Sequence, residues 1–132
     1  IGKNESYPKD TQGSFFPALM LGNIQKDMRV WKEEVFWPIL PIVPYNSLEE
    51  AIELANDTVY GLWAYVFTKD LTTFHTLAGA IESGMVQLNN VNYCIPSDPF
   101  GGYKASGIGR EHGKWGFYEF TNVKVLSLPK AI

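Results

Sequence analysis

Two stretches of this 132-residue chain hold residue types that chemistry can use. The first is Glu33-Glu34-Val35-Phe36-Trp37-Pro38. A carboxylate at Glu34 can accept two hydrogen bonds from a vicinal diol such as a ribose. An aromatic two residues later, Phe36, can pack on a planar ring. Read alone, the same residues are also ordinary loop residues. The second stretch, Pro99 to Glu111, places four glycines in thirteen residues. It is not a P-loop, because Lys104 follows Tyr103 and the Gly-x-x-x-x-Gly-Lys spacing fails. Gly107-Ile108-Gly109 opens a dinucleotide fingerprint, but the third glycine, Gly113, comes one position late. Gly101, Gly102, Gly107 and Gly109 therefore read as positions of positive φ and close packing.

Cys94 is the single cysteine. A nucleophilic thiolate needs an activating neighbour. His75 falls mid-helix in the pattern below and His112 comes 18 residues later, so Cys94 reads as a packed or loop cysteine. One cysteine and two separated histidines give zinc no ligand cluster. Asn4-Glu5-Ser6 and Asn56-Asp57-Thr58 match the glycosylation sequon by chance, since no secretory signal is visible.

The elements that must position these residues follow from periodicity. Residues 1–14 read as loop or edge. Phe15 to Leu21 is apolar but carries Pro17, which suits an edge strand. Residues 23–34 read as a polar connection anchored by Met28, Val30 and Trp31. A strand is expected over Ile39 to Tyr45, limited by Pro41 and Pro44. Ser47-Leu48-Glu49-Glu50 is a capping box, and Leu48, Ala51, Ile52 and Ala55 fall on one helical face. Asn56 and Asp57 stop that helix, and Tyr60-Gly61 turns the chain. Trp63 to Thr68 reads as a strand. Asp70 or Thr72 caps a second helix, with Phe74, Leu77, Ala78 and Ile81 on one face and Gly84 at its end. Met85 to Asn89 is a third strand. Glu111 to Glu119 reads as a short helix and Val123 to Leu128 as a last strand. The order β-α-β-α-β, with short helical crossovers, implies parallel pairing and an α/β fold.

Composition narrows the class. Hydrophobic residues make up 45% and charged residues 19%, a globular balance. A net charge of −3 with scattered Lys and Arg gives no nucleic-acid footprint. No apolar run approaches the roughly 18 residues that span a bilayer, so no membrane association is expected. The lone cysteine favours a reducing compartment, and a cytoplasmic location is expected. The chain opens with Ile, so it is expected to be a processed or trimmed product or a part of something longer.

An ordered series of motifs closely resembles the C-terminal end of aldehyde dehydrogenases. It includes Phe16-Pro17, Asp27-Met28, Glu33-Glu34-Val35-Phe36 with Pro38, Glu50-Ala51-Ile52, and Ala55-Asn56-Asp57-Thr58. It continues through Tyr60-Gly61-Leu62, Phe67-Thr68-Lys69-Asp70-Leu71, Gly84-Met85-Val86 and Leu88-Asn89. It ends with Pro99-Phe100-Gly101-Gly102, Lys104, Ser106-Gly107-Ile108-Gly109-Arg110-Glu111, and Glu119-Phe120-Thr121 with Lys124. Two departures stand out. Trp37 replaces the family's usual Gly, and its indole either crowds the cofactor pocket or turns away into packing. Phe16-Pro17-Ala18-Leu19 replaces the commoner Pro-Thr-Val.

The resemblance implies a partial Rossmann-like β-α-β-α-β unit of the catalytic domain over residues 1–120, then an oligomerisation strand and tail over 121–132. It implies that Glu34 binds the nicotinamide ribose and Phe36 contacts the nicotinamide side. It implies that Phe100 lines the aldehyde tunnel and that Cys94 lies in the variable substrate loop. The implied cofactor of the intact enzyme is NAD or NADP, and the implied partner is a second copy, as homodimer or homotetramer, through the last strand. The family's nucleophilic cysteine, its base glutamate and its dinucleotide-binding domain have no counterpart here, so the chain is not expected to oxidise an aldehyde alone. Ile42-Val43-Pro44-Tyr45 and Asn89-Asn90-Val91-Asn92-Tyr93 are similar in style to bacterial succinate-semialdehyde or lactaldehyde dehydrogenases. Two other readings stay open: a stand-alone, non-catalytic association module, and a relative of the acyl-phosphate reductases.

Overall fold

A periodic apolar pattern needs a partner surface, and the chain finds its partners in adjacent segments. The structure, a computed structural model, describes residues 12–36, 38–91 and 95–129. Trp37, Cys94 and the opening residues with their sequon lie outside the described residues. The chain divides into two compact units, Ile1–Ala51 and Ile52–Ile132.

In the first unit, β1 (Leu19–Leu21) pairs in parallel with β2 (Ile39–Pro41). The register sets Leu19 against Ile39 and Leu21 against Pro41. Both strands are shorter than the apolar runs that contain them. Pro17 precedes β1, and Pro44 stands at the next donor position after the last ladder bond, Ile42 N to Leu21 O at 2.8 Å, where a proline nitrogen has no hydrogen to donate. The connection holds a four-residue helix, α1 (Arg29–Lys32), where the sequence reads only as polar linker. Its signal is the Arg29–Glu33 pair, four residues apart and joined at 2.7 and 2.8 Å.

Helix α2 (Leu48–Asn56) starts at the expected box. Ser47 Oγ accepts from Glu50 N at 3.2 Å. The Glu50 carboxylate reaches back one residue further than a capping box requires, accepting from Asn46 N at 2.7 Å. Leu48, Ala51 and Ile52 are half-buried as expected; Leu54, rather than Ala55, joins them.

In the second unit, β4 (Trp63–Val66) runs parallel to β5 (Met85–Leu88), joined by α3 (Leu71–Ala80). Asp70 caps α3, accepting from Thr72 N at 3.2 Å and Thr73 N at 2.9 Å. Phe74, Leu77, Ala78 and Ile81 form its half-buried face, and His75 points outward. Beyond the strand ends, Asn89 imitates another rung of the ladder. Its amide donates to Thr68 O at 2.7 Å and accepts from Thr68 N at 3.0 Å. Val66, at 6% exposure, is the one buried apolar side chain among the described residues.

Two expectations need correction. Tyr60-Gly61 is no turn: it is a short strand, β3 (Tyr60–Gly61), paired antiparallel with β6 (Tyr103–Lys104). Val123 to Leu128 forms no strand, because no described segment pairs with it, and its apolar side chains are exposed. The last helix, α4 (Gly113–Glu119), forms two residues later than its expected start. The whole is mixed α/β with parallel strand pairs, in keeping with a partial Rossmann-like unit, though β2 takes β1 as its partner and β4 takes β5.

Candidate functional site

The end of α1 sets up the first group. At Glu33 the backbone becomes extended, at φ −97° and ψ 152°. Side chains then alternate in direction. Glu34 and Phe36 are exposed and Val35 between them is half-buried, so the carboxylate and the ring share the outer side. Phe36 is 75% exposed. Of the two adjacent carboxylates, Arg29 takes only one. Its guanidinium grips Glu33 in a fork, and that hydrogen bond holds the Glu33 carboxyl below its ordinary range. Glu34 makes no hydrogen bond or ion pair with any described residue, which leaves its oxygens open to an outside donor.

The second group is the glycine loop. Phe100 and Glu111 exchange two backbone hydrogen bonds of 2.8 Å each, closing residues 100–111 into a compact Ω-type loop. Arg110 fills it. Its Nη1 donates to the carbonyls of Gly102 at 2.9 Å, Ile108 at 3.2 Å and Gly109 at 2.8 Å. Arg110 N donates to Glu119 Oε1 at 3.2 Å, which ties the loop to α4. A Cβ on Gly101 would overlap the Gly109 carbonyl oxygen, and one on Gly84 would overlap that of Gly101. Close packing thus accounts for Gly101, whereas the expected positive φ is found at Gly107 (101°) and not at Gly101, Gly102 or Gly109.

Lys104 locks the other side of the loop. Its ammonium donates to Asn56 O at 3.0 Å and Thr58 O at 3.2 Å and pairs with Glu82. The Asn56 side chain meanwhile donates to Ala80 O at 2.9 Å and accepts from Glu82 N at 2.8 Å, capping the end of α3. Neither Lys104 nor Arg110 declares this role in sequence, because their partners are mostly backbone carbonyls. The hint is a cation of each kind inside a glycine-rich run.

Between loop and α4 lies an open cleft of about 460 Å³, lined by Leu62, Phe100, Gly102, Arg110, Glu119 and Phe120 among others. Ser106 also lines it, but its Oγ accepts from Gly61 N at 3.0 Å. Among the described residues the lining holds no histidine or cysteine. Among the described residues no group of His, Cys, Asp and Glu is arranged to hold a metal ion.

Of the residues singled out by sequence, Glu34 and Phe36 stand together in the first unit and Phe100 stands in the second. Cys94 lies outside the described residues. Trp63, which reads in sequence only as a strand residue, is paired edge-on with Phe100, ring centroids 5.5 Å apart.

Comparison with known proteins bears on the whole chain. The profile of the "Aldehyde dehydrogenase family" matches residues 1–126. A Staphylococcus saprophyticus protein named "Putative aldehyde dehydrogenase" is 43% identical over 126 residues, which is 96% of this chain and 26% of that protein. The chain thus spans about a quarter of the length of the curated relatives it matches. Among solved structures, the aldehyde dehydrogenase of Mycobacterium tuberculosis complexed with NAD+ is 40% identical, with a TM-score of 0.78 over 86% of this chain and 23% of that one. The betaine aldehyde dehydrogenase of Staphylococcus aureus in complex with NAD+ is also 40% identical, with a TM-score of 0.73 over 76% of this chain and 20% of its own.

Proposed function

Because the chain belongs to the aldehyde dehydrogenase family, we propose that it supplies the C-terminal quarter of an NAD+-dependent enzyme that oxidises a small aliphatic aldehyde to its carboxylic acid. The observation that carries this reading is the match over residues 1–126 together with 40% identity to relatives solved with NAD+. The residues present suit that cofactor. Glu34 offers an unengaged carboxylate, and Phe36 an exposed ring on the same side. In this reading Glu34 accepts from the ribose hydroxyls and Phe36 packs on the nicotinamide side. When bound, NAD+ supplies the acceptor for hydride. Phe100 and the apolar wall around it line the aldehyde's path, with Cys94 in the neighbouring substrate loop. Bond-making belongs to the nucleophile and base of the remaining three quarters, so the chain by itself has no dehydrogenase activity.

The aldehyde is small and aliphatic in this account, with succinate semialdehyde the first candidate from the style of the sequence. Residues 121–132 act as an oligomerisation strand that completes a sheet in a second copy. What supports this is the exposure of Val123 and Val125, at 92% and 84%. No helix among the described residues is long and apolar enough to cross a membrane. We place the enzyme in the cytoplasm on the strength of its lone cysteine, which suits a reducing compartment. The test is a chimera in which residues 1–126 replace the matching quarter of the S. saprophyticus relative. It is assayed for NAD+ reduction with a panel that includes succinate semialdehyde and betaine aldehyde. Turnover of at least one aldehyde is expected; a folded chimera inert towards all of them overturns the reading.

A further inference from the structure

Phe100 is held twice. Its backbone is fixed by the reciprocal hydrogen bonds to Glu111, both 2.8 Å. That leaves the direction of the ring to its neighbours. The ring meets Trp63 edge-on, centroids 5.5 Å apart at 73°, and lies tilted against His112 at 6.1 Å. Edge-to-face geometry at this distance is the favoured arrangement of two aromatic rings, since it sets a positive edge on a negative face.

Trp63 is itself fixed. It opens β4 opposite Met85 in the parallel register. Its indole stacks on Tyr65, two residues along the same face, at 5.5 Å and 25°. The close approach of Gly84 to Gly101 brings the start of the loop against β5, beside Trp63. The indole Nε1 is buried and makes no hydrogen bond to a described residue.

We propose that Trp63 is a positioning residue for Phe100 and, through that ring, determines which aldehydes the site admits. This rests on the reading in which Phe100 lines the aldehyde path. With the Trp63 edge in place, Phe100 has one orientation and the passage one width. Without that edge, the Phe100 ring turns and the passage accepts bulkier, branched substrates.

The experiment has two arms. In the first, 4-fluorophenylalanine at position 100 of the full chain reports the ring's surroundings by fluorine NMR in the parent, W63F and W63L. The resonance is expected to stay near the parent's in W63F, which keeps an aromatic edge. In W63L, which keeps apolar volume without a ring, it is expected to move towards the solvent-exposed position. A W63L resonance that coincides with the parent's overturns the positioning role. The second arm measures kcat/KM for straight-chain and branched aldehydes in the chimera. W63L is expected to raise the branched-to-straight ratio about three- to ten-fold, the size of a lost aromatic pair, with KM moving more than kcat. W63F is expected to restore most of the parent's ratio. An unchanged ratio in W63L, or an equal change in W63F and W63L, overturns the selectivity role. A chimera that turns over no aldehyde overturns the functional reading and the selectivity role with it, while the fluorine arm still decides the positioning role by itself.

Discussion

Adjacent residues of one type can be sorted by a single neighbour. Glu33 and Glu34 are alike in sequence, but the Arg29 fork engages only Glu33. Glu33→Gln is therefore expected to leave the chimera's KM for NAD+ unchanged, as steady-state kinetics will show. Asp70 illustrates a different residue-scale effect. Its carboxylate accepts from Thr73 Oγ at 2.6 Å and from the backbone N–H of Thr73 and Thr72. Led by the Thr73 hydroxyl, these bonds hold its carboxyl below the ordinary aspartate range. The charged form is the one the fold favours. Its contribution is complete above the ordinary aspartate pKa and fades as pH falls through the lowered value. Asp70→Ala should lower the melting temperature by several degrees at neutral pH and make little difference in strong acid. Equal losses at both pH values in thermal melts would contradict this cap.

At the scale of elements, the glycine loop depends on two cations. Removing the Lys104 ammonium leaves two carbonyls and the Glu82 carboxylate without their shared donor. Lys104→Met is expected to cost about 1–3 kcal/mol in a denaturant melt. Arg110→Met should open the loop, read as faster proteolysis within residues 103–109 while α3 stays protected. The face of α3, the box at Ser47 and the strands β4 and β5 were the legible part of this chain, whereas the choice of Asp70 over Thr72 as the cap of α3 needed the structure. The β3–β6 pair was not legible, because two-residue strands more than forty positions apart carry no period. The role of Arg110 was hidden for a related reason: three carbonyls of its own loop become ligands only once the loop has closed. Glu34 and Phe36 could be singled out by residue type, whereas Trp63 needed the meeting of β4 with the loop.

On the scale of the whole molecule, exposure is the dominant fact. Val66 alone among described apolar residues is buried, while Phe117 is 79% exposed, Phe120 92%, Val123 92% and Leu128 87%. Apolar surface this extensive calls for a covering partner. The 132-residue chain is expected to self-associate in size-exclusion chromatography, and removal of residues 121–132 to reduce that association. A monodisperse monomer at high concentration, or an oligomer indifferent to the truncation, would contradict the role given to this segment. The same reasoning explains why Val123 to Leu128 reads as a strand yet forms none: alternation marks a segment fit for pairing, and the partner has to be supplied.

The central claim is that this chain brings the cofactor and aldehyde contacts of an aldehyde dehydrogenase but none of its bond-making groups. Aldehyde-dependent NADH formation by the chimera and its Glu34→Gln variant tests it most directly. Turnover by the chimera is expected, and a KM for NAD+ raised about ten-fold or more in the variant, the effect of losing a charge-assisted hydrogen bond, with the KM for aldehyde unchanged. A folded chimera without turnover, or a variant whose KM for NAD+ does not move, would contradict it.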